Sequence, residues 1–218
     1  MGGTRKYIGL VIPIALVTWR VWSLGPTSFE TLAHQPAGAA ATDFKVSVVA
    51  TMWIGAIALM LVVRALERQP LDSIGFRRPS WRDLAGVPIV VIASALLETL
   101  WTLVLLTAGG HTTSIVPVSA SALPLGVRVL MFGTEPFFEE TVFRGYAIER
   151  FESLTSSTTG AVCGSALASS LMHGGWTLGL AIIPLGLGSA ALYAWRRNLW
   201  ACVLFHSLWM LPILLGVA

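Results

Sequence analysis

Apolar residues form long, nearly uninterrupted runs along this chain, and polar residues collect in the short stretches between them. Seven runs have about the 17 to 25 residues that a helix needs to cross a bilayer, and they cover residues 7–24, 45–64, 84–108, 123–148, 158–173, 178–195 and 199–217. The pattern predicts an all-α protein, a polytopic transmembrane bundle of about seven spanning helices. Because the runs fill the chain and no internal repeat is evident, residues 1–218 are expected to form a single membrane domain.

Composition supports a membrane protein. Of the 218 residues, 55% are hydrophobic and only 11% are charged, against about 25% charged residues in ordinary soluble domains. The net charge of +3 raises the question of nucleic-acid binding, but the basic residues lie in short loops beside apolar runs and do not form one soluble face. The expected partner is therefore the lipid bilayer, and no nucleic acid is expected.

The basic residues also predict an orientation. They are concentrated in three places: Arg5 with Lys6, the arginines of loop 64–83, and Arg196 with Arg197. The positive-inside rule assigns these loops to the cytoplasm and the charge-poor loops 25–43 and 109–122 to the opposite side. Seven helices with a cytoplasmic N-terminus satisfy every loop, and the expected location is a prokaryotic inner (plasma) membrane.

The first run could instead be a cleaved signal peptide, with the small residues at 37–41 as its cleavage site. That site lies too far from the run, and Arg20 and Trp22 occupy the stretch where a cleavage region begins. We therefore interpret the run 7–24 as a membrane anchor.

The stretch EETVFRG at 139–145 brings two carboxylates and a guanidinium into the fourth apolar run. One Asp, Lys or Arg at the centre of a spanning helix costs about 2.5 to 3.5 kcal/mol on insertion scales, so such a cluster is expected to have a function. Glu140 and Arg144 stand at i and i+4 on one helix face, where they can pair, whereas Glu139 is rotated by about 100°. A purely structural ion pair remains an alternative.

Two histidines strengthen the functional interpretation. His173 and His206 lie in two other apolar runs, and with Glu140 they offer a general base and two electrophile stabilisers or metal ligands, enough to activate water on an amide. At 1.5 Å per residue, Glu140, His173 and His206 lie about 16, 24 and 12 Å from the inner helix ends. A helix ended or bent by Gly174 and Gly175 would bring His173 nearer the other two.

Other residues of the apolar runs are less informative. Glu98 is expected to pair with Arg128 or to support the site from a neighbouring helix. Cys163 and Cys202 show neither a metal-binding nor a disulfide spacing, so we expect them to be small apolar helix residues.

The EETVFR stretch resembles the EExxxR motif of a known family, the CAAX-processing and bacteriocin-processing or immunity-like (CPBP, Abi-like) intramembrane glutamic proteases, which include the eukaryotic CAAX prenyl protease. Glu139, Glu140 and Arg144 match that motif in full. The stretches LDSIGFRRPSWRDL at 71–84 and YAWRRNLWACVLFH at 193–206 are also similar to family segments. The resemblance covers about residues 70–218.

The chain departs from two other motifs of the family. His173 meets the histidine of FxxxH, but Ser169 stands in the phenylalanine position. The third family motif is a histidine followed four residues later by Asn or Asp. His206 matches the histidine, but Met210 occupies the Asn or Asp position. The second departure removes a polar partner that the family places at the oxyanion.

The resemblance implies a role for each residue. Glu140 would be the general base that activates water, Arg144 would orient it, and Glu139 would support the site. His173 and His206 would stabilise the oxyanion or pass a proton to the leaving amine. No cofactor is expected; a zinc ion held by the histidines and a glutamate is the less favoured option, because no HExxH motif is present.

These expectations define a function and two alternatives. The expected function is that of a hydrolase, an intramembrane endopeptidase that cleaves near the C-terminus of membrane-associated substrates, lipidated or carrying a sorting tail. The first alternative is a catalytically silent membrane partner or immunity protein of the same family. The second is a proton-coupled transporter, which is weaker because the matching halves of such proteins are not evident.

Overall fold

A computed structural model describes residues 39–108, 123–173 and 182–216. Its helices are α1 (Ala39–Leu61, continued by the π-helical residues Val62–Leu66), a 3-10 turn (Leu71–Ile74), α2 (Trp81–Thr107), α3 (Leu125–Glu139), a π-helical segment (Glu140–Ile148), α4 (Glu149–Thr155), α5 (Thr158–Leu171), α6 (Ile183–Arg196), α7 (Leu199–Trp209) and α8 (Leu211–Leu215). The prediction of an all-α protein is confirmed for these residues. The first predicted helix, 7–24, lies outside them.

Two of the helices are long and apolar enough to cross a membrane. They cover Lys45–Leu66 and Trp81–Thr107, and the shorter helix Leu199–Trp209 is also apolar. Only 6% of the most apolar window of α2 is buried in the protein, and large apolar side chains such as Leu96 and Leu100 are exposed along it. Such a surface suits a hydrocarbon environment.

The loops before α2 and α7 end at side chains that cap the next helix. The Ser80 hydroxyl accepts a hydrogen bond from the Asp83 N–H at 3.3 Å, and the Asp83 carboxylate accepts one from the Ser80 N–H at 2.8 Å. The Asn198 side-chain oxygen accepts from the N–H groups of Trp200 and Ala201 at 3.0 and 3.3 Å. Because these bonds satisfy amides that no helical carbonyl can reach, they fix where the two helices begin.

The two arginine-bearing loops in the described part of the chain lie at the same end of the bundle. Arg196 Nη2 lies 2.9 Å from the Asp83 carboxylate, and Arg77 donates a hydrogen bond to the Arg196 carbonyl. Asn198 in turn donates to the Arg77 carbonyl at 3.3 Å. These contacts tie loop 67–80 to the turn between α6 and α7, as an arrangement with both loops on one side of a membrane requires.

The π-helical segment Glu140–Ile148 lies at the centre of the packing, and each of its residues is buried. One apolar cluster joins it to α1 and the 3-10 turn, and a second joins its end to α2, α5, α6 and α7. The Ser165 hydroxyl of α5 donates a hydrogen bond to the Phe143 carbonyl at 2.7 Å. The charged residues of EETVFRG are therefore held in the middle of the protein.

The expected pairing of Glu98 with Arg128 is wrong. Neither carboxylate oxygen of Glu98 has a hydrogen-bond partner among the described residues. Arg128 instead donates to the Leu214 carbonyl at 2.9 Å, because the last carbonyls of a helix lack partners within it and attract cationic side chains. Glu98 also does not line the cavity described below, so it does not support the site directly.

The seventh apolar run is not one continuous helix. Helix α7 ends at Trp209, Met210 follows it as a turn, and α8 begins at Leu211. The break lies beside Pro212, which has no N–H for a hydrogen bond to the preceding turn.

Gly145 is expected to be intolerant of a side chain. A Cβ atom there would lie 2.6 Å from the Ile74 carbonyl oxygen, which is backbone and cannot turn away, whereas a Cβ at Gly133 of α3 would meet nothing within 4 Å. We expect Gly145→Ala to reduce stability by about 1 to 3 kcal/mol through overpacking. The matched variant Gly133→Ala should leave stability unchanged or slightly raised, since Ala favours a helix more than Gly does. Thermal unfolding in detergent would measure both, and equal melting temperatures would contradict the close packing of Gly145 on Ile74.

Candidate active site

Glu140 is fully buried, and three side chains surround its carboxylate. Oε1 lies 2.9 Å from His206 Nδ1, Oε2 lies 3.2 Å from Arg144 Nε, and Oε2 also accepts a hydrogen bond from the Ser189 hydroxyl. These partners come from the π-helical segment, α6 and α7. A buried carboxylate is tolerated when it is paired and hydrogen-bonded in this way.

Arg144 connects this carboxylate to the backbone of α6. Its Nη2 donates to the Gly186 carbonyl at 3.3 Å, and its side chain is 4% exposed. The contact of Nε with Glu140 is a close ion pair that lacks hydrogen-bond geometry, and Nη1 has no hydrogen-bond partner among the described residues. The guanidinium therefore balances the charge of Glu140 while keeping N–H groups available.

Glu139 faces a different histidine. Its carboxylate lies 3.4 Å from His173 Nε2, a distance longer than that of a strong hydrogen bond. The His173 ring is 32% exposed, whereas Glu139 is 6% exposed. The two adjacent glutamates thus point to separate partners, as expected from their rotation about the helix axis.

The contacts of the two imidazoles assign some of their protons. His173 Nδ1 lies 2.9 Å from the Ser169 carbonyl oxygen, which can only accept, so Nδ1 carries a hydrogen and Nε2 faces Glu139. His206 Nδ1 faces the carboxylate of Glu140 and is likewise the donor. Each histidine therefore has one nitrogen held by the protein, which fixes the orientation of its ring.

The charges of the cluster nearly cancel. Glu139 and Glu140 provide two negative charges and Arg144 one positive charge, so one additional proton on His173 or His206 makes the group neutral. A buried cluster is far less costly when its net charge is zero.

A small cavity connects the two glutamates. It is lined by Glu139, Glu140, Arg144, Ser169, Ser170, His173, Ile182, Leu185, Gly186, Phe205 and His206. Its free space is about that of a single water molecule. The five residues that the sequence predicts for the site all line this cavity. They come from three segments that are distant along the chain.

His173 approaches the glutamates because α5 ends early. The helix closes at Leu171, before His173, and the His173 N–H bonds to the Ser170 carbonyl at 3.1 Å. The sequence predicts such a bend from Gly174 and Gly175, but these two glycines lie outside the described residues.

Sequence reasoning missed three residues of the site. Ser189 donates to Glu140, Gly186 accepts from Arg144, and the buried hydroxyl of Ser170 lines the cavity. Serine and glycine are common wherever membrane helices pack closely, so their residue type carried no signal. Only the approach of α5 and α6 to the π-helical segment identifies them.

The two departures from the family motifs lie in different surroundings. Ser169 lines the cavity and donates to the Ala166 carbonyl of its own helix at 3.1 Å. Met210 is buried at the end of α7 and does not line the cavity. Position 210 therefore offers no polar group to the cavity, in contrast to the family motif.

The donor set does not resemble a zinc site. In the described ranges, no three His, Cys, Asp or Glu side chains are grouped closely enough to hold a metal ion. Glu139 pairs with His173 and Glu140 with His206 as two separate couples. Zinc sites in proteins use three or four converging ligands, and the described residues do not provide such a set.

Removing one member of the Glu140 ion pair should be costly. We expect Arg144→Met to reduce stability by about 3 to 5 kcal/mol, because it leaves a buried carboxylate without its counter-charge. Arg82→Met, at an exposed arginine that lies over the Trp81 ring, is the control and should change stability by about 1 kcal/mol or less.

A double-mutant cycle measures the pair itself. The double variant Glu140→Gln/Arg144→Met should lose less stability than the sum of the two single variants, since it removes both charges. Thermal or denaturant unfolding in detergent provides the values. Strict additivity would contradict a direct interaction between the two residues.

The segment that contains this site is similar to a known protein family. Residues 121–211 match the family model described as Rce1-like, type II CAAX prenyl endopeptidase, a family of membrane-embedded proteases. The match covers less than half of the chain but includes all five residues predicted for the site. No curated protein and no solved structure matches the chain. The resemblance seen in EETVFRG is thus confirmed: from residue 121 to residue 211 the chain is similar to the Rce1-like type II CAAX prenyl endopeptidases.

Proposed function

We propose that this protein is a glutamate-dependent intramembrane endopeptidase that hydrolyses a peptide bond near the C-terminus of membrane-associated substrates, lipidated or carrying a sorting tail. The main support is a water-sized cavity lined by two glutamates, two histidines and an arginine, in the segment similar to a protease family. Hydrolysis of an amide needs a base for water, a donor for the oxyanion and an acid for the leaving amine. This set of residues supplies all three.

The structure favours Glu139, and not Glu140, as the general base. The carboxylate of Glu140 already has contacts with His206, Arg144 and Ser189 and is 0% exposed. Glu139 has a loose contact with His173, whose ring is partly exposed, and both line the cavity. A base must reach the water whose proton it removes, and Glu139 has the acceptor capacity to do so.

With Glu139 as the base, each of the other site residues has a separate role in the reaction. Glu139 removes a proton from water, the water oxygen attacks the carbonyl carbon, and this proton passes from Glu139 through His173 Nε2 to the nitrogen of the leaving amine. Glu140 holds the His206 ring through Nδ1–H, so that the protonated ring can donate from Nε2 to the developing oxyanion. Arg144 balances the charge of Glu140 and offers its free Nη1 N–H to the same cavity.

The membrane setting belongs to the same proposal. We place the active site inside a single multi-pass domain of about seven spanning helices in a prokaryotic inner membrane, with the N-terminus in the cytoplasm. The two long apolar helices and the shared end of the two arginine loops support it. The substrate is a membrane-associated protein or peptide, and the lipid bilayer is its medium; no cofactor or nucleic acid takes part.

A silent membrane partner or immunity protein is the second candidate. The observation in its favour is the end of α7, where the apolar side chain of Met210 replaces the polar group of the family motif. In that case the buried ion pairs would serve packing alone. The two functions differ in their response to a carboxylate-to-amide change, because packing tolerates an amide and base catalysis does not.

Glu139→Gln tests the choice of base. We expect this substitution to lower the rate of processing by about 10²-fold or more. The folded protein should lose little stability, because the amide keeps the size of the side chain. The measurement compares C-terminal peptides of the membrane proteome from cells that produce the wild-type protein or the variant at equal abundance. Uncleaved tails should accumulate with Glu139→Gln.

Glu98→Gln is the matched control, since Glu98 is another glutamate of an apolar helix and does not line the cavity. It should process substrates at the wild-type rate. Identical peptide profiles for wild-type and Glu139→Gln proteins would contradict the assignment of Glu139. Identical profiles for wild-type, Glu139→Gln and Glu140→Gln would favour the silent partner.

A further inference from the structure

Ser170 has a buried hydroxyl that nothing in the described part of the chain satisfies. The residue is 1% exposed, its Oγ has no hydrogen-bond partner, and it lines the cavity. The neighbouring Ser169 differs, because its hydroxyl donates to the Ala166 carbonyl. Arg144 Nη1, whose side chain lines the same cavity, is also without a partner.

The side chains that carry these two unsatisfied groups both approach Gly186 and line the same cavity. A Cβ atom on Gly186 would be 3.2 Å from Ser170 Oγ, so the hydroxyl points towards Gly186. The carbonyl of that same glycine accepts a hydrogen bond from Arg144. Ser170 and the Arg144 guanidinium therefore both lie beside Gly186, at the point where α5 and α6 are in close contact.

Buried polar groups without a protein partner are usually satisfied by ordered water. Leaving such a group unpaired costs about 1 to 3 kcal/mol, and a buried water makes about three hydrogen bonds to groups of this kind. The cavity has room for about one water molecule. A hydroxyl, a guanidinium N–H and a carboxylate around that space offer both donors and acceptors.

We propose that Ser170 binds and positions the water molecule that attacks the substrate, with Arg144 Nη1 as a second donor. The inference rests on the proposed peptidase function for its catalytic part, whereas the binding of water is independent of it. In the reaction Glu139 takes one proton of this water, and the oxygen forms a bond to the carbonyl carbon. The C–N bond then breaks as the amine receives a proton, and Ser170 itself is unchanged.

The presence of water is tested first, by structures of the wild-type protein and of Ser170→Ala and Ser169→Ala at a resolution that reveals ordered water. The wild-type and Ser169→Ala proteins should hold a water about 2.7 to 3.2 Å from Ser170 Oγ, and Ser170→Ala should lack it or hold it displaced. A cavity without water in the wild-type protein would overturn the inference.

Kinetics of peptide cleavage test the positioning role. Ser170→Ala should lower kcat about 10- to 100-fold with little change in KM, because misplacing a reacting atom by about 1 Å has an effect of this size. Ser73→Ala removes another buried hydroxyl without a partner among the described residues, one that does not line the cavity, and should retain nearly wild-type kcat. Equal kcat values for the two variants, at equal melting temperatures, would overturn the role of Ser170.

The two proposals fail in different ways. If the water is present and Glu139→Gln cleaves as fast as the wild-type protein, the proposed base is wrong and the positioning role falls with it, while the water site stands. If Glu139→Gln is inactive and Ser170→Ala is as active as Ser73→Ala, the peptidase function stands and the role of Ser170 is overturned.

Discussion

The ion pair between Glu140 and Arg144 is the constraint on which the rest of the site depends. Charges inside an apolar protein or membrane cost several kcal/mol unless each has a partner, and Glu140 has no exposed surface at all. The hydrogen bonds and the ion pair of the Glu140 carboxylate come from Ser189 of α6, His206 of α7 and Arg144. The ion pair thus specifies how three helical segments must meet, and these contacts also orient His206.

The π-helical segment makes this convergence available. Its residues Glu140–Ile148 are all buried, so its side chains face neighbouring helices in every direction. Gly145 allows the 3-10 turn to approach on one side, and Gly186 allows α5 to approach α6 on another, where the Gly186 carbonyl also accepts a hydrogen bond from Arg144. Departures from α-helical geometry often occur at functional sites, and here one contains Glu140 and Arg144.

The two adjacent glutamates are identical side chains in different surroundings. Glu140 is enclosed by His206, Arg144 and Ser189. Glu139 lies next to a partly exposed His173 and retains the capacity to accept a proton. The family resemblance implied Glu140 as the general base, and the i, i+4 spacing predicted its pairing with Arg144. The spacing does not reveal that this pairing, together with Ser189 and His206, occupies the carboxylate.

The sequence by itself determined the helical class of the described residues, the starts of α5 and α7, and five of the residues that line the cavity, because apolar runs and buried charges leave strong local signals. It could not determine which distant partners these residues meet. The pairing of Glu98 with Arg128 was wrong for this reason, and the small residues around Arg144 went unnoticed. Only the tertiary structure decided these contacts, since hydrogen bonds between helices depend on how the helices pack and leave no periodic pattern in any one of them.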